Sequence, residues 1–483
     1  MKPSLDSGAP PIPAASTPRL SQATRDRLVA MVVALPLFLQ NVDSSVMTTA
    51  LPAMARSLQV DTLRLNLAVT AYLISLAVFL PASGWLADRF GARRVFLGAI
   101  AVFSAASALC GIAQSLGVLV VCRVLQGLGG AMMVPVGRLI LLRSIPATAI
   151  VSAMVWFTVP PAFGRMIGPL VGGMVVTWVS WRWIFLINVP LGALAIALAL
   201  GTLDDDEAPE HAGRSFDYIG FVLLGIGLAS LLASLETATS HVLSGAVSAA
   251  LGLGGAACLA VYVFHSRRAA APLLELSVFR FQTFFAATVG GLPLRLAIGA
   301  VPFLLPLLLQ LGFGLSPLQS GLLTMGTAIG SLATRTILTR AIRRFGFRRL
   351  LIGATVLSSL SYVGYANLHA STPHAVVFLA CLASGLLMSL AMVALQTLAF
   401  TEVPKPLMGH ATALSTIAQQ ISFSLGVVMA VELLRVALWL RGDASGHLAA
   451  ADFPLAFYAI AVVVPLAIVI LRRLPADVGE ELR

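Results

Sequence analysis

The chain is expected to be an all-α polytopic membrane protein, two six-helix halves with two helices inserted between them, fourteen spans in all. Three observations predict this. The 483 residues are 58% apolar and 11% charged, with mean hydropathy +0.94. A soluble domain carries about 25% charged residues, so this chain has too few polar side chains to clothe a water-facing surface and is solvated mostly by lipid. The apolar residues fall in runs of the length, roughly 20 residues, that a helix needs to cross the hydrocarbon core. Finally, Arg89-Phe90-Gly91-Ala92-Arg93-Arg94-Val95-Phe96-Leu97-Gly98-Ala99 returns 255 positions later as Arg344-Phe345-Gly346-Phe347-Arg348-Arg349-Leu350-Leu351-Ile352-Gly353-Ala354. Each copy lies between long apolar runs, so the chain is internally repeated, the symmetry that two rocking halves require.

In chain order, residues 1–27 are polar and rich in Pro and Ser. They lack the short apolar core and cleavage site of a signal peptide and are expected to be a disordered cytoplasmic tail. The first half, 28–202, holds spans 28–50, 66–87, 95–114, 116–137, 149–177 and 181–202. An acidic linker, 203–216, carries Asp204-Asp205-Asp206-Glu207 as a solvated hinge. The insert, 217–264, holds spans 217–235 and 244–264, and a second linker covers 265–281. The second half, 282–472, holds spans 282–311, 316–338, 348–369, 374–398, 409–440 and 454–472, before a tail at 473–483. The repeat supports this division: the basic turns follow the second and tenth spans, and only an even offset keeps both on one side of the membrane.

Loops after even-numbered spans hold Arg89, Arg93, Arg94, Arg138, Arg143, Arg214, Arg267, Arg268, Arg280, Arg335, Arg340, Arg343, Arg344, Arg348, Arg349 and Lys405; those after odd-numbered spans hold Arg56, Arg64, Arg182, Arg435 and Arg441. The positive-inside rule therefore places the even loops and both termini in the cytoplasm. That asymmetry also accounts for the net charge of +11. The arginines are scattered over short loops and form no domain face, which argues against nucleic acid as a partner.

Cys110, Cys122, Cys258 and Cys381 fall inside spans without ligand spacing, so they are read as packing residues and neither a disulfide framework nor a metal site is expected. The seven histidines lie in loops or at helix ends. No phosphate loop of the Gly-Lys-Ser/Thr kind is present, which removes direct ATP coupling. No nucleophile, base and oxyanion arrangement suggests an enzyme. The energy source must then be an ion gradient or the substrate itself.

Ionisable groups within spans are functional candidates, because each costs roughly 2.5–3.5 kcal/mol to insert. Asp43 lies about two-thirds along the first span in Asn41-Val42-Asp43-Ser44-Ser45-Val46-Met47-Thr48-Thr49, where the hydroxyls could solvate it. It is the first choice for a proton carrier, with a fixed ion pair locking the span as the alternative. Burial and a neighbouring cation act in opposite senses on a carboxylate's proton affinity, so alternation between them loads and releases a proton. Glu432 is expected to pair with Arg435 at i+3. The buried cations are Arg123, Arg165 and Arg295. Arg123 opens Arg123-Val124-Leu125-Gln126-Gly127-Leu128-Gly129-Gly130-Ala131, whose glycines let a neighbouring helix approach. Arg165 could answer Asp43, bind an anion or snorkel, and Arg295 stands mid-helix between Pro293 and Gly299. Asp43, Arg123, Gln126, Arg165 and Arg295 form the candidate substrate cavity. Gly164-Arg165-Met166-Ile167-Gly168-Pro169-Leu170-Val171-Gly172-Gly173 combines small-residue spacing with a proline, a packing seam with a bend.

Gly84-Trp85-Leu86-Ala87-Asp88-Arg89-Phe90-Gly91-Ala92-Arg93-Arg94 resembles the signature loop of the major facilitator superfamily, and the Arg123 and Gly164–Gly173 segments resemble its helix-four and antiporter motifs. With the Asp43 segment and Ser180-Trp181-Arg182-Trp183-Ile184-Phe185-Leu186-Ile187-Asn188-Val189-Pro190, the chain is similar to the 14-span drug:proton antiporters, most of all the MdtD-like exporters of bacterial inner membranes. That resemblance covers about 28 to 472 and implies proton-coupled efflux of small amphipathic molecules by alternating access. It implies a multi-pass inner-membrane protein, functional as a monomer, driven by the proton gradient with no cofactor and no metal. Its partners would be substrate, protons and lipid. It assigns Asp43 and Arg123 to proton coupling and Gly84, Asp88, Arg89, Gly91, Arg93 and Arg94 to a cytoplasmic gate, where Asp88 lies beside Arg89, Arg93 and Arg94. Gly164, Gly168, Pro169, Gly172 and Gly173 would form the antiporter hinge.

The second basic turn carries Arg343 at the aspartate position, and Arg165 replaces a residue usually small or apolar. Three buried arginines keep a dedicated exporter of an organic anion or metal chelate open. A nutrient symporter, and a sensor or scaffold, are the remaining alternatives.

Overall fold

Gly91 and Gly346 adopt φ of 91° and 75°, a region in which a side chain costs roughly 1–2 kcal/mol. These matching glycines let the chain reverse tightly at both basic turns. The computed structural model describes residues 22–60, 62–204, 215–240, 244–442 and 448–475. Of the expected tails 1–27 and 473–483, residues 1–21 and 476–483 lie outside the described residues, as do Asp205, Asp206 and Glu207 of the acidic linker; residues 22–27, expected as disordered tail, are instead the first turns of a helix.

Helix α1 is Gln22–Leu58. α2, Thr62–Phe79, runs through a 3₁₀ turn at Leu80–Ala82, where Pro81 removes a donor, into α3, Ser83–Phe90. Beyond Gly91 come α4, Ala92–Gly111, and α5, Leu116–Ser144, capped by the Ser115 hydroxyl accepting from the Val118 amide. α6 is Ala147–Trp178, α7 Trp183–Leu186 and α8 Asn188–Thr202. α9, Tyr218–Ser240, and α10, Gly245–Arg268, form the inserted pair. α11, Gln282–Thr288, is broken from α12, Leu292–Leu307. α13, Pro317–Ala366, starts at a Ser316/Gln319 capping box and bends at Gly346 into two arms. α14 is His374–Leu398, α15 Met408–Arg441, α16 Phe453–Val463 and α17 Leu466–Leu471.

Eleven stretches of the described helices are long and apolar enough to cross a membrane. The other three expected spans fall on α6 and the two arms of α13; in α6 a shorter apolar stretch, Ala149–Pro161, is found. The exterior carries Leu253, Phe264, Leu360, Leu379 and Val462 well exposed, as lipid contact requires.

The packing repeats along with the sequence. α1 packs on α6 as α12 packs on α15. α2 and α4 pack on α5 as the arms of α13 pack on α14, and α4 meets α8 as α13 meets α16. Between these two sets, α15 packs on α3 and α5, and α6 on α13 and α14. α9 touches both α2 and α15, so the inserted pair lies across the seam.

Two sequence expectations need correction. Arg138 does not lie in a loop: α5 continues to Ser144 and leaves Arg138 buried at 1% exposure. Arg295 is not mid-helix, because the break at 289–291 places it in the first turn of α12.

Candidate functional site

In a helix, positions three apart share a face, so Gln40 and Asp43 stand together on α1, as do Arg123 and Gln126 on α5. These faces meet within the first set of helices. Asp43 Oδ2 accepts from Arg123 Nη1 at 2.8 Å, and Oδ1 accepts from Gln126 Nε2 at 3.1 Å and Asn188 Nδ2 at 3.0 Å. Ser107 Oγ accepts from the same two amides at 2.6 and 3.1 Å. Arg123 also donates to Gln126 Oε1 at 2.7 Å and, through Nε, to the Ala68 carbonyl at 3.3 Å. Its guanidinium lies 4.4 Å from the Tyr72 ring centroid, whose hydroxyl accepts from Gln40 Nε2 at 3.1 Å. Both side chains of the ion pair are 1% exposed.

This network ties α1, α2, α4, α5 and α8 together around one carboxylate. Protonating Asp43 would leave Arg123 as a buried charge without a counter-ion, which costs several kcal/mol.

The donors described for Asp43 come from other helices, and the Ser44 hydroxyl donates to the Gln40 carbonyl at 3.0 Å. Arg123 answers Asp43. The side chains of Arg165, Pro169 and Gly173 lie outside the described residues. Ser107, Asn188, Tyr72 and Gln40 were not singled out by sequence reasoning. Asn188 had a signal, its place just before Val189-Pro190 in the Trp181 segment; Ser107 had none.

The glycines explain how the helices come close enough. A Cβ on Gly127 would lie 2.6 Å from Ser75 Cβ, and one on Gly130 would lie 3.1 Å from both Gln40 Nε2 and the Tyr72 hydroxyl. On α6, a Cβ on Gly164 would meet Phe38 at 2.8 Å, and one on Gly168 would meet Ser45 Cβ at 2.5 Å. Gly172 is buried on the same helix.

At the end of the bundle that carries the basic turn, Asp88 Oδ1 accepts from Arg143 Nη2 at 2.9 Å. Arg143 on α5 is therefore an ion-pair partner of Asp88 that lies outside the signature loop itself. Arg93 donates to the Leu200 carbonyl at 2.9 Å, and Arg89 and Arg94 are exposed. Gly84 faces the start of α15, where its Cβ would lie 3.1 Å from the Gly409 backbone; a Cβ on Gly409 would lie 3.3 Å from Asp88 Oδ2. Asp204 pairs with Arg25 at 2.5 Å, exposed to solvent.

The described hydrogen bonds between the two sets of helices fall toward this same end: Arg138 to Ser415 Oγ at 3.2 Å and Thr158 to Gln396 Oε1 at 3.4 Å. The expected Glu432–Arg435 pair forms at 2.5 Å. Among the described residues no cluster of three or more His, Cys, Asp or Glu could hold a metal ion.

The family model of the Major Facilitator Superfamily matches residues 33–427. Proteins named multidrug resistance protein MdtD in Salmonella dublin and Salmonella typhimurium are each 35% identical over 455 residues, 93% of this chain and 95% of theirs. The proton:xylose symporter XylE aligns with TM-score 0.64 at 14% identity, covering 95% of this chain and 97% of its own. The human organic anion transporter MFSD10 aligns with TM-score 0.59 at 16% identity, covering 92% and 99%. At such identities the solved structures show the fold alone.

Proposed function

The chain belongs to the Major Facilitator Superfamily, and from that premise we propose that it exports small amphipathic organic molecules, drugs among them, across the bacterial inner membrane in exchange for protons. The observation that carries this reading is the buried carboxylate of Asp43, held by Arg123, Gln126 and Asn188 at the junction of five helices. A proton bound there removes the charge that holds Arg123 and gives the helices a reason to move. The multidrug-resistance relatives support export as the direction.

In this reading the basic end and both termini face the cytoplasm, the positive-inside orientation. Residues 28–202 and 282–472 form the rocking halves, with 217–264 as the insert, and the fourteen-span monomer is the working unit. The close approach of Gly84 to Gly409 and the Arg138–Ser415 bond seal the cytoplasmic side. Arg123 and Arg143 ride on α5, about 30 Å apart at 1.5 Å per residue. One helix, with Pro135 between the two arginines, thus links the proton site to the Asp88 latch. A proton entering from outside neutralises Asp43, frees Arg123 and drives substrate release outward; the hinge of Gly164, Gly168, Pro169, Gly172 and Gly173 lets α6 follow.

No cofactor enters this cycle. One charge crossing 100 mV carries about 2.3 kcal/mol, enough for a gradient of roughly fiftyfold. The test is Asp43→Asn in inverted vesicles loaded against an ethidium or norfloxacin gradient: substrate-induced proton release is expected to vanish, and its persistence would falsify the carrier role. Accumulation in a pump-deficient bacterium should fall with the chain expressed and recover with a protonophore.

A further inference from the structure

Arg138 and Arg295 are both fully buried, at 1% and 0% exposure. Unlike Arg123, neither forms an ion pair among the described residues. Arg138 comes from the first half and Arg295 from the second; the Phe400 ring, 5.8 Å from the Arg138 guanidinium, lies 6.4 Å from the ring of Phe284 on α11, one turn before the Thr288 carbonyl that holds Arg295. Two buried guanidiniums without a carboxylate are costly, because the desolvation of each is not offset by an opposite charge. Such an arrangement does not serve stability.

Their free donors have a definite shape. Arg295 Nη1 is anchored on the Thr288 carbonyl at 2.9 Å, while its Nε and Nη2 have no acceptor. Those two N–H groups form one edge of the guanidinium plane, the fork that matches the two oxygens of a carboxylate. Arg138 is steadied by Ser415 Oγ and lies 5.6 and 5.8 Å from the ring centroids of Phe157 and Phe400, and its Nε is also without an acceptor. The buried Thr288 hydroxyl is a further group without a partner. Arg295 occupies the first turn of α12, at the helix break, where the positive end of the dipole repels a cation and attracts an anion. Broken helices within the bilayer commonly line substrate sites.

We infer that Arg138 and Arg295 form an anion subsite between the halves, and that it takes the carboxylate of a small organic cargo. Arg295 binds the carboxylate through its Nε/Nη2 edge, and Arg138 adds a second positive charge from the opposite half. The export reading supplies the access route, since separation of Gly84 from Gly409 and of Arg138 from Ser415 opens this region to the cytoplasm. A bound carboxylate would cancel the repulsion between the halves and favour their closure around the cargo.

The test is thermal unfolding of the full chain in nanodiscs with benzoate, succinate, inorganic phosphate or chloride. A carboxylate-dependent rise in Tm that phosphate and chloride do not reproduce is expected. Arg295→Gln should raise the Tm without ligand, since it removes an unpaired buried charge, and abolish the carboxylate shift. Arg295→Lys, which keeps the charge and loses the fork, should weaken binding at least tenfold. A purely structural arginine gives the reverse, a lower unliganded Tm with any ligand shift intact, and would overturn the assignment. So would equal stabilisation by phosphate or chloride, or no response to either carboxylate. Carboxylate binding lost in Arg295→Gln, together with no protonophore-sensitive efflux by the parent chain, would leave the subsite standing and sink the export reading. Protonophore-sensitive efflux with carboxylate binding unaffected by Arg295→Gln would do the opposite.

Discussion

Removing either charge of the Asp43–Arg123 pair should cost far more than half of what removing both costs. The pair is 2.8 Å long with both side chains 1% exposed, and breaking such a pair from one side costs about 3–5 kcal/mol because the other charge stays buried alone. In Asp43→Asn, the new amide oxygen still accepts from Gln126 and Asn188, but its nitrogen faces Arg123 donor to donor. Arg123→Gln leaves the carboxylate with two amide donors and no cation. With both substitutions the positions face each other as neutral amides, each able to donate and accept. Additive single costs would total about 6–10 kcal/mol; the double variant should lose well under that, giving a coupling of about 3 kcal/mol. Thermal unfolding of the parent, both single variants and the double variant in nanodiscs, followed by tryptophan fluorescence, measures the cycle. Trp181, buried in the cluster that includes Phe185, provides a local reporter. Additivity within about 0.5 kcal/mol would refute the network as the organiser of these helices. Proton release should be lost in both variants that lack Asp43, whatever their stability.

Asp88→Asn removes a part-exposed pair with Arg143, worth up to about 1 kcal/mol, so the latch equilibrium should shift by about fivefold; Arg143→Gln should match it and the double variant should add little, as read by maleimide labelling of a cysteine placed at Ser415. Gly84→Val forces a branched side chain against the Gly409 backbone, so the same labelling should rise more than in Asp88→Asn while the fold persists. Gly168→Ala places a methyl group 2.5 Å from Ser45 Cβ and should cost about 1–3 kcal/mol; adding Ser45→Gly should recover most of the lost Tm, and no recovery would locate the clash elsewhere. Gly91→Ala and Gly346→Ala should each cost roughly 1–2 kcal/mol, with similar drops in Tm, because both positions require positive φ.

The helical membrane fold and the repeat were legible because both depend on local quantities. Hydropathy sets which segments enter lipid, and Arg89-Phe90-Gly91 against Arg344-Phe345-Gly346 repeats a turn whose glycine requirement is a property of one residue's backbone. Asp43, Arg123 and Gln126 could be nominated from sequence since a charge or amide in an apolar span needs a reason. Their pairing could not be read, because Arg165 was a candidate partner for the carboxylate as well as Arg123. The approach of α1 and α2 to α5, permitted by Gly130 and Gly127, brought Arg123 to it.

Residue type and spacing by themselves determined an internally repeated bundle of lipid-solvated helices with a few costly charges inside it. The tertiary structure alone decided which faces turn inward. A helix in lipid is apolar on every side, so no amphipathic pattern separates the face toward protein from the face toward lipid. Asn188 thus became a donor to the carboxylate and Ser107 an acceptor for its amide neighbours, Asp88 reached Arg143 on α5, and Arg138 was drawn from an expected loop into the seam against Ser415.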